Sequence, residues 1–432
     1  MNPSTASLLE FLDNSPCNFL AAANVAAALD NAGFTRLLMS DSWELEPGGR
    51  YYVVQNDSAV FAFVPGIAAP EYGFKIVCAH SDSPGFRIKP SPEMVGKSPI
   101  LKLNTEVYGG PILYTWFDRP LSISGRVILR SDNLLRPKTR LVNFRRPLLT
   151  IPHLAIHYNR SVNEGNPLSK QKDMLPVLAI LRDKAEADGY LLRLVAEELG
   201  VAPEEILDFD LTLYDTTPAC LFGPSEEFIS SGRIDDLEMV HAGLTALTAS
   251  LDTDSAMTRV LAVFDNEETG SGTKQGAASP ILRDILRRVV DSLGGDGEES
   301  FIRAVTNSFM ISADNGHALH PNYEEKQDPT NLPALGGGPV VKINANCKYM
   351  TDADSAAVFR AICQKAGVPV QTFVNHSDVA GGSTLGNILT SQMPLRGVDM
   401  GAPQWAMHSC RETAAVADHL STIAAFSTFY RL

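Results

Sequence analysis

The sequence predicts an α/β fold in which one mixed-sheet domain is split in the chain by a β-rich insertion. Three observations carry this. A chain of 432 residues is longer than one hydrophobic core usually serves, which points to two domains. Short apolar runs such as Phe74–Ala79 and 259–264 alternate with helical stretches toward both ends of the chain. From about Lys89 the pattern changes to short alternating segments, and after Gly223 it changes back. The divisions read from this are 1–88 and 223–432 for the split domain and 89–222 for the insertion.

The elements follow in order. Residues 5–33 carry a helical pattern. Tyr51–Val64 comes next, then Phe74–Ala79, whose unbroken apolar character predicts a strand covered on both faces. In the insertion, Ile100–Val107, Leu121–Leu129 and Thr139–Phe144 alternate like antiparallel strands. A helix is expected over 174–199 and a strand at Phe209–Tyr214. Beyond Gly223, strands are expected at 259–264, 308–312, 338–343, 369–374 and 395–398. A helix from Asp236 should place Leu237, Val240, Leu244, Leu247 and Leu251 on one face, and another should cover Thr413–Tyr430. Asp291–Ser300, reading DSLGGDGEES, is expected to be an exposed loop.

The 36 basic and 50 acidic residues leave a net charge of −14. That argues against a nucleic-acid or anionic-membrane surface, both of which need clustered positive charge. Met1–Phe34 has neither the basic start nor the apolar core of a secretory signal, and no run approaches the ~18 apolar residues of a membrane helix. Cys17, Cys78, Cys220, Cys347, Cys363 and Cys410 are scattered, with no C-x-x-C pair, and read as buried free thiols of a cytoplasmic protein.

Several predicted strands end in groups suited to metal binding. FKIVCAHSD places His80 and Asp82 just past a strand, SGRIDD places Asp235 at a helix start, and FDNEETGS places Glu267 and Glu268 past another strand. SADNGHALH contributes Asp314, His317 and His320, and PQWAMHSC contributes His408. Loops leaving the carboxyl ends of neighbouring strands converge in space. Here they would gather imidazoles and carboxylates, a mixed nitrogen and oxygen donor set that suits zinc. So many carboxylates beside buried strands need cations to offset their desolvation. Two metals sharing a bridging carboxylate account for the set. Asp235 bridges, His80 and Asp314 hold one ion, and Glu268 and His408 hold the other. Glu267 is left over as a general base for an attacking water, and Asp82 is placed to take the second N–H of His80.

The segments AHSDSPGFRIKP, TEVYGGPILYTWFDRPLSISGRV, IPHLAIHYNRSVNE, SGRIDDL, FDNEETGS, SADNGHALHPNY, GPVVKIN and GAPQWAMHS span nearly the whole chain. On them the sequence resembles the aspartyl aminopeptidase family of zinc exopeptidases. The resemblance implies a split di-zinc peptidase domain with an inserted dimerisation domain, in a hollow dodecamer of self-associated chains. It implies two zinc ions per subunit on His80, Asp235, Glu268, Asp314 and His408, with Glu267 as base and a cis peptide after Asp235. The oxygen-rich donor set leaves room for Co²⁺ or Mn²⁺ at one site. By the same resemblance, His157 reaches a neighbouring subunit's active site to stabilise an oxyanion. His320 shapes the substrate pocket, and Lys342 pairs with an acidic N-terminal side chain of a peptide. A local ammonium of that kind outweighs the distant, screened −14.

Two other readings stand beside this one. A carboxypeptidase or amide deacylase on the same scaffold would share the metal chemistry and use a cation such as Arg119 or Arg160 for a substrate carboxylate. A metal-stabilised scaffold without catalysis would have no use for a spare Glu267.

Overall fold

The structure, a computed structural model, describes residues 2–432. It is α/β with several mixed sheets and divides into two compact units. The first takes in the chain up to Asp82, Ala219–Met407 and Glu412–Leu432; the second takes in Ser83–Pro218 and His408–Arg411. These divisions stand against 89 and 222 read from the sequence.

The first unit is built on a nine-stranded sheet. At its centre Phe74–His80 lies between Thr258–Phe264 and Phe309–Ala313, parallel to both, and Gly397–Gly401 runs parallel to Phe309–Ala313 on the far side. Antiparallel pairings join this centre to Ala59–Val64 on one flank and Val340–Ile343 on the other. The central strands read as unbroken apolar runs because helices cover both faces. Val77, Ala79, Leu261, Val263 and Ile311 point to one face, against Ala22, Val25, Met239, Val240, Phe359 and Phe426. Ile76, Cys78, Val260, Ala262 and Met310 point to the other, against Ile285, Leu286, Val289 and Phe301. Each Val, Leu, Ile, Phe or Met among them removed from water contributes roughly 1.5–3 kcal/mol before the entropy of ordering it is set against it. A five-stranded sheet of Cys220–Phe222, Phe228–Ser231, Glu412–Ala415, Pro403–Trp405 and Gly316–His317 completes the unit.

The second unit carries a six-stranded antiparallel sheet in the order Lys138–Asn143, Leu121–Leu129, Ile206–Asp215, Gly85–Val95, Ile100–Tyr108, Val177–Ile180. Phe86, Ile123, Val127 and Leu211 form its core with Leu191 and Val195 of the helix Tyr190–Leu199.

Most strand expectations are met, and the departures have local causes. Residues 5–33 form two helices, Pro3–Asn14 and Asn18–Asn31, broken at Ser15–Cys17 around Pro16. The 174–199 helix starts only at Tyr190, because Val177–Ile180 pairs as an edge strand with Ile100–Lys102 and Gly189 turns the chain at φ +60°. Residues 413–415 join the strand Glu412–Ala415, so the last helix begins at Val416. Within 291–300 only 293–296 lies outside helices: Ile281–Ser292 runs in, Gly297–Thr306 runs out, and Ser300 is buried with its hydroxyl on Glu71 at 2.7 Å.

The helix Ile234–Ala249 is buried on nearly all sides rather than along one leucine face. It lies against the sheet on one side and the helices Pro3–Asn14 and Val416–Arg431 on others. Of the six cysteines, none in a disulfide, Cys220 and Cys347 are exposed rather than buried. No described helix is long and apolar enough to cross a membrane.

Candidate metal centre

The centre forms where the parallel strands end. The register pairs Phe264 with His80 and Ser312 with Cys78, which brings the last residues of three strands level. His80 closes one strand, Asp265 to Glu268 follow the second, and Asp314 follows the third. Gly401 lets its strand approach this end: a Cβ there would stand 1.8 Å from the Asp314 carbonyl oxygen.

His80 is 1% exposed. Its Nδ1 lies 3.1 Å from the Asp82 carbonyl oxygen and 3.4 Å from Asp82 Oδ1, so Nδ1 is assigned the proton. Nε2 then presents a lone pair to Asp235 Oδ1 at 3.3 Å. Two acceptors facing each other call for a proton or a cation between them. Ligands on a tetrahedral zinc, each at ~2.0–2.1 Å, stand roughly 3.3–3.4 Å apart, which is the observed separation.

Around this pair, His80, Asp235, Asp236 and Asp314 each offer a donor atom within 4.8 Å of the others, and so do His80, Glu267 and Glu268. Burial alone would lower the His80 pKa, but Asp236, Asp235 and Asp82 outweigh it and raise it well above the ordinary value. Glu267 is pushed up to about 9, by burial first and then, against an opposing His80, by Asp314, Glu268 and Asp235. A concentration of negative charge that holds a carboxylic acid protonated past neutrality fits a divalent cation as its intended counter-charge.

Asp236, absent from the sequence-based list, is wholly buried. Its two oxygens accept from the backbone N–H of His80 at 3.0 Å and of Asn315 at 3.2 Å. Asp236 thereby ties together the three segments that carry His80, Asp235 and Asp314. The acidic doublet in SGRIDD was the available signal, but only one of the two was read as functional. The Asp235–Asp236 peptide is cis, and the Glu412 carboxylate accepts from Asp235 N at 3.1 Å.

Asp82 also does more than face His80. Its two oxygens accept from Glu267 N at 3.1 Å and Glu268 N at 3.2 Å, which fixes the 3₁₀ turn Glu267–Thr269 after Asn266 at φ +61°. Lys342 is buried, with Nζ 3.4 Å from Asp314 Oδ1 and 5.8 Å from the centroid of the Tyr349 ring. Burial would lower its pKa, but Asp314, Tyr349 and Asp399 outweigh it and keep the ammonium charged.

The other candidates have these neighbours. His320 is half-buried, its Nδ1 accepting from Asn322 N at 3.2 Å and its ring 5.0 Å from that of Tyr323. His317 is exposed, its ring set against Phe373. His157 belongs to the second unit and is exposed on a turn closed by Tyr158 N and Ala155 O at 2.9 Å, not packed in a β-rich core. His408 belongs to the 408–411 segment of that unit. Its Nδ1 is 3.2 Å from the Gly110 carbonyl oxygen, so a proton held there leaves Nε2 as the donor atom. Arg119, weighed as a carboxylate clamp, is engaged by Asp215 at 3.2 Å and the Thr115 carbonyl at 3.1 Å.

Comparison with known proteins agrees with this chemistry. Residues 11–430 match the family model described as aminopeptidase I zinc metalloprotease (M18). The M18 family aminopeptidase 2 of Clostridium novyi is 51% identical over 426 residues, 98% of either chain. Among solved structures, one from the Ape4 and Nbr1 complex superposes with a TM-score of 0.95 at 36% identity, over 99% of this chain and 85% of that one. The mApe1 of Saccharomyces cerevisiae, solved as a dodecamer, superposes at 0.85 with 24% identity, over 99% and 96%. A donor set built for zinc and a match over nearly the whole length lead to one conclusion: the chain belongs to the M18 family of zinc metalloproteases and is an aminopeptidase.

Proposed function

We propose that the protein removes acidic N-terminal residues, Asp or Glu, from peptides with a free N-terminus, using two zinc ions per subunit. The observation that carries the reading is the gathering of His80, Asp235, Asp314, Glu267 and Glu268 at the level ends of three parallel strands. His80 and Asp314 would hold one ion and Glu268 and His408 the other, with Asp235 shared between them. When bound, the ions supply Lewis acidity toward the scissile carbonyl and the attacking water.

The chain's own residues do the rest. Glu267 takes the proton from the water and passes it to the leaving amine. Its carboxyl, held at about 9 by burial and its acidic neighbours, comes down toward neutrality when cations join them, where a base works best. Asp82 keeps the Glu267–Glu268 turn and the His80 ring in place. Lys342 offers its ammonium to the acidic side chain of the substrate, a role supported by its position 3.4 Å from Asp314. His320 shapes the pocket.

The inserted unit serves self-association in this reading. Leu154, Ile156 and Tyr158, all exposed, flank His157, and an apolar patch of that kind is suited to a second copy of the chain. His157 would then reach the neighbouring subunit's site and stabilise the oxyanion. A dodecamer, as in mApe1, is the assembly proposed, in the cytoplasm.

The test is a back-titration of metal-free protein with zinc. Activity should return in proportion to bound metal up to two equivalents per chain. Glu267→Gln should bind the same two equivalents and lose about 10²–10⁴ in kcat. Full activity at one equivalent would contradict the two-ion centre.

A further inference from the structure

The helix Ile234–Ala249 hides a second polar feature behind the metal ligands. Glu238, one turn past Asp235, is wholly buried. An interior carboxylate on a helix otherwise lined with Leu, Met and Val costs free energy and calls for a partner. One of its oxygens has such a partner: Oε2 accepts from Asn315 Nδ2 at 2.7 Å, while Oε1, without a hydrogen bond among the described residues, faces His419 Nδ1 at 3.5 Å. From His419 the line runs on: Nε2 lies 3.1 Å from His241 Nδ1, and His241 Nε2 lies 3.0 Å from the hydroxyl of Ser7, on the exposed side of the first helix. Burial drives both imidazoles down to about 3, so both are neutral. A neutral His241 can then donate from Nδ1 to His419 Nε2 while its Nε2 accepts from Ser7 Oγ, which leaves His419 Nδ1 facing Glu238.

At the other end, Asn315 is the residue after Asp314. Its backbone N–H is held by Asp236 at 3.2 Å, and its side-chain amide by Glu238 and the Ala402 carbonyl at 2.7 and 3.2 Å. The segment that presents Asp314 is therefore fastened at two points to the one helix start that presents Asp235. A shift of either point moves one carboxylate relative to the other.

We propose that Glu238 is a positioning residue of the metal centre: through Asn315 it sets the register of Asp314 against Asp235, and the His419–His241–Ser7 line holds it there. This rests on reading the cluster as a metal centre.

The experiment measures Zn²⁺ and Co²⁺ affinity by competition with a chelator, together with the visible d–d spectrum of the cobalt-loaded protein, in assembled protein whose fold is checked by circular dichroism. Glu238→Leu keeps the bulk and removes the acceptor. It should weaken metal binding about 10–100-fold, the usual effect of losing a partner behind a ligand, and shift the cobalt bands. Glu238→Gln, which still offers Asn315 an oxygen, should recover most of both. Asn315→Ala should reproduce the loss, and the double variant should lose no more than either single one, because both act through one contact. Asn315→Ala carries the same test if Glu238→Leu fails to fold. Unchanged affinity and spectrum in these variants, or losses that add, would overturn the role given to Glu238 alone. Failure of the unaltered protein to bind either metal would overturn the metal centre and this inference with it.

Discussion

Lys342 is the residue proposed to set substrate preference. Its ammonium lies 3.4 Å from Asp314 and stays charged despite burial. Removing one member of a buried charge pair costs about 2–5 kcal/mol. Lys342→Met should therefore cut kcat/KM for N-terminal Asp and Glu peptides at least about thirtyfold, with a smaller fall for N-terminal Leu. Comparable losses on all three would make Lys342 a partner of Asp314 only. The sequence pointed to Lys342 because an ammonium within an apolar strand is unusual. It could not show Asp314 as the neighbour, since 28 residues separate the two and only the sheet brings them together.

At the scale of elements, what was legible had a period or a fixed place in a motif. The unbroken apolar strands Phe74–His80 and Thr258–Phe264 were readable because two-sided burial leaves a continuous signature. His80, Asp235, Glu267, Glu268 and Asp314 were readable because each sits at the end of such a run or at a helix start. The helix from Asp236 was misjudged. Its leucines gave one face, but neighbouring helices bury the other face too, and on it lie Glu238 and His241. That burial has a consequence for acid stability. His241 and His419 titrate near 3 when folded and near ~6.5 when unfolded. Between these values the unfolded chain binds more protons, so the stability from keeping both rings neutral is complete above about pH 6.5 and is lost as pH falls toward 3. The groups facing His241 are His419, the Ser7 hydroxyl and the Phe11 ring, with Glu238 beyond His419. Denaturant unfolding from pH 7 to 4 should show this decline, and His241→Gln should flatten it. Equal slopes in the two proteins would place the acid sensitivity elsewhere.

For the whole molecule, the split of one α/β unit by a β-rich insertion was visible as a change of pattern near 89 and 222. The actual divisions at Asp82 and Ala219, and the grouping of 408–411 with the second unit, were not, because chain character says nothing about which short loop folds with which body. Assembly is proposed to be part of catalysis through His157. His157→Phe should leave the assembly intact and metal bound while lowering kcat, with KM little changed; a retained kcat in an intact assembly would remove His157 from the mechanism. The central claim is that this M18 aminopeptidase is a metal-dependent enzyme for acidic N-termini, and the most direct test is hydrolysis of free-amine dipeptides beginning with Asp, Glu and Leu, and of their N-acetylated twins, with and without a chelator. Chelator-sensitive cleavage of the free-amine Asp and Glu members above all others is the expected result; equal cleavage of the Leu or the acetylated members would contradict the acidic preference.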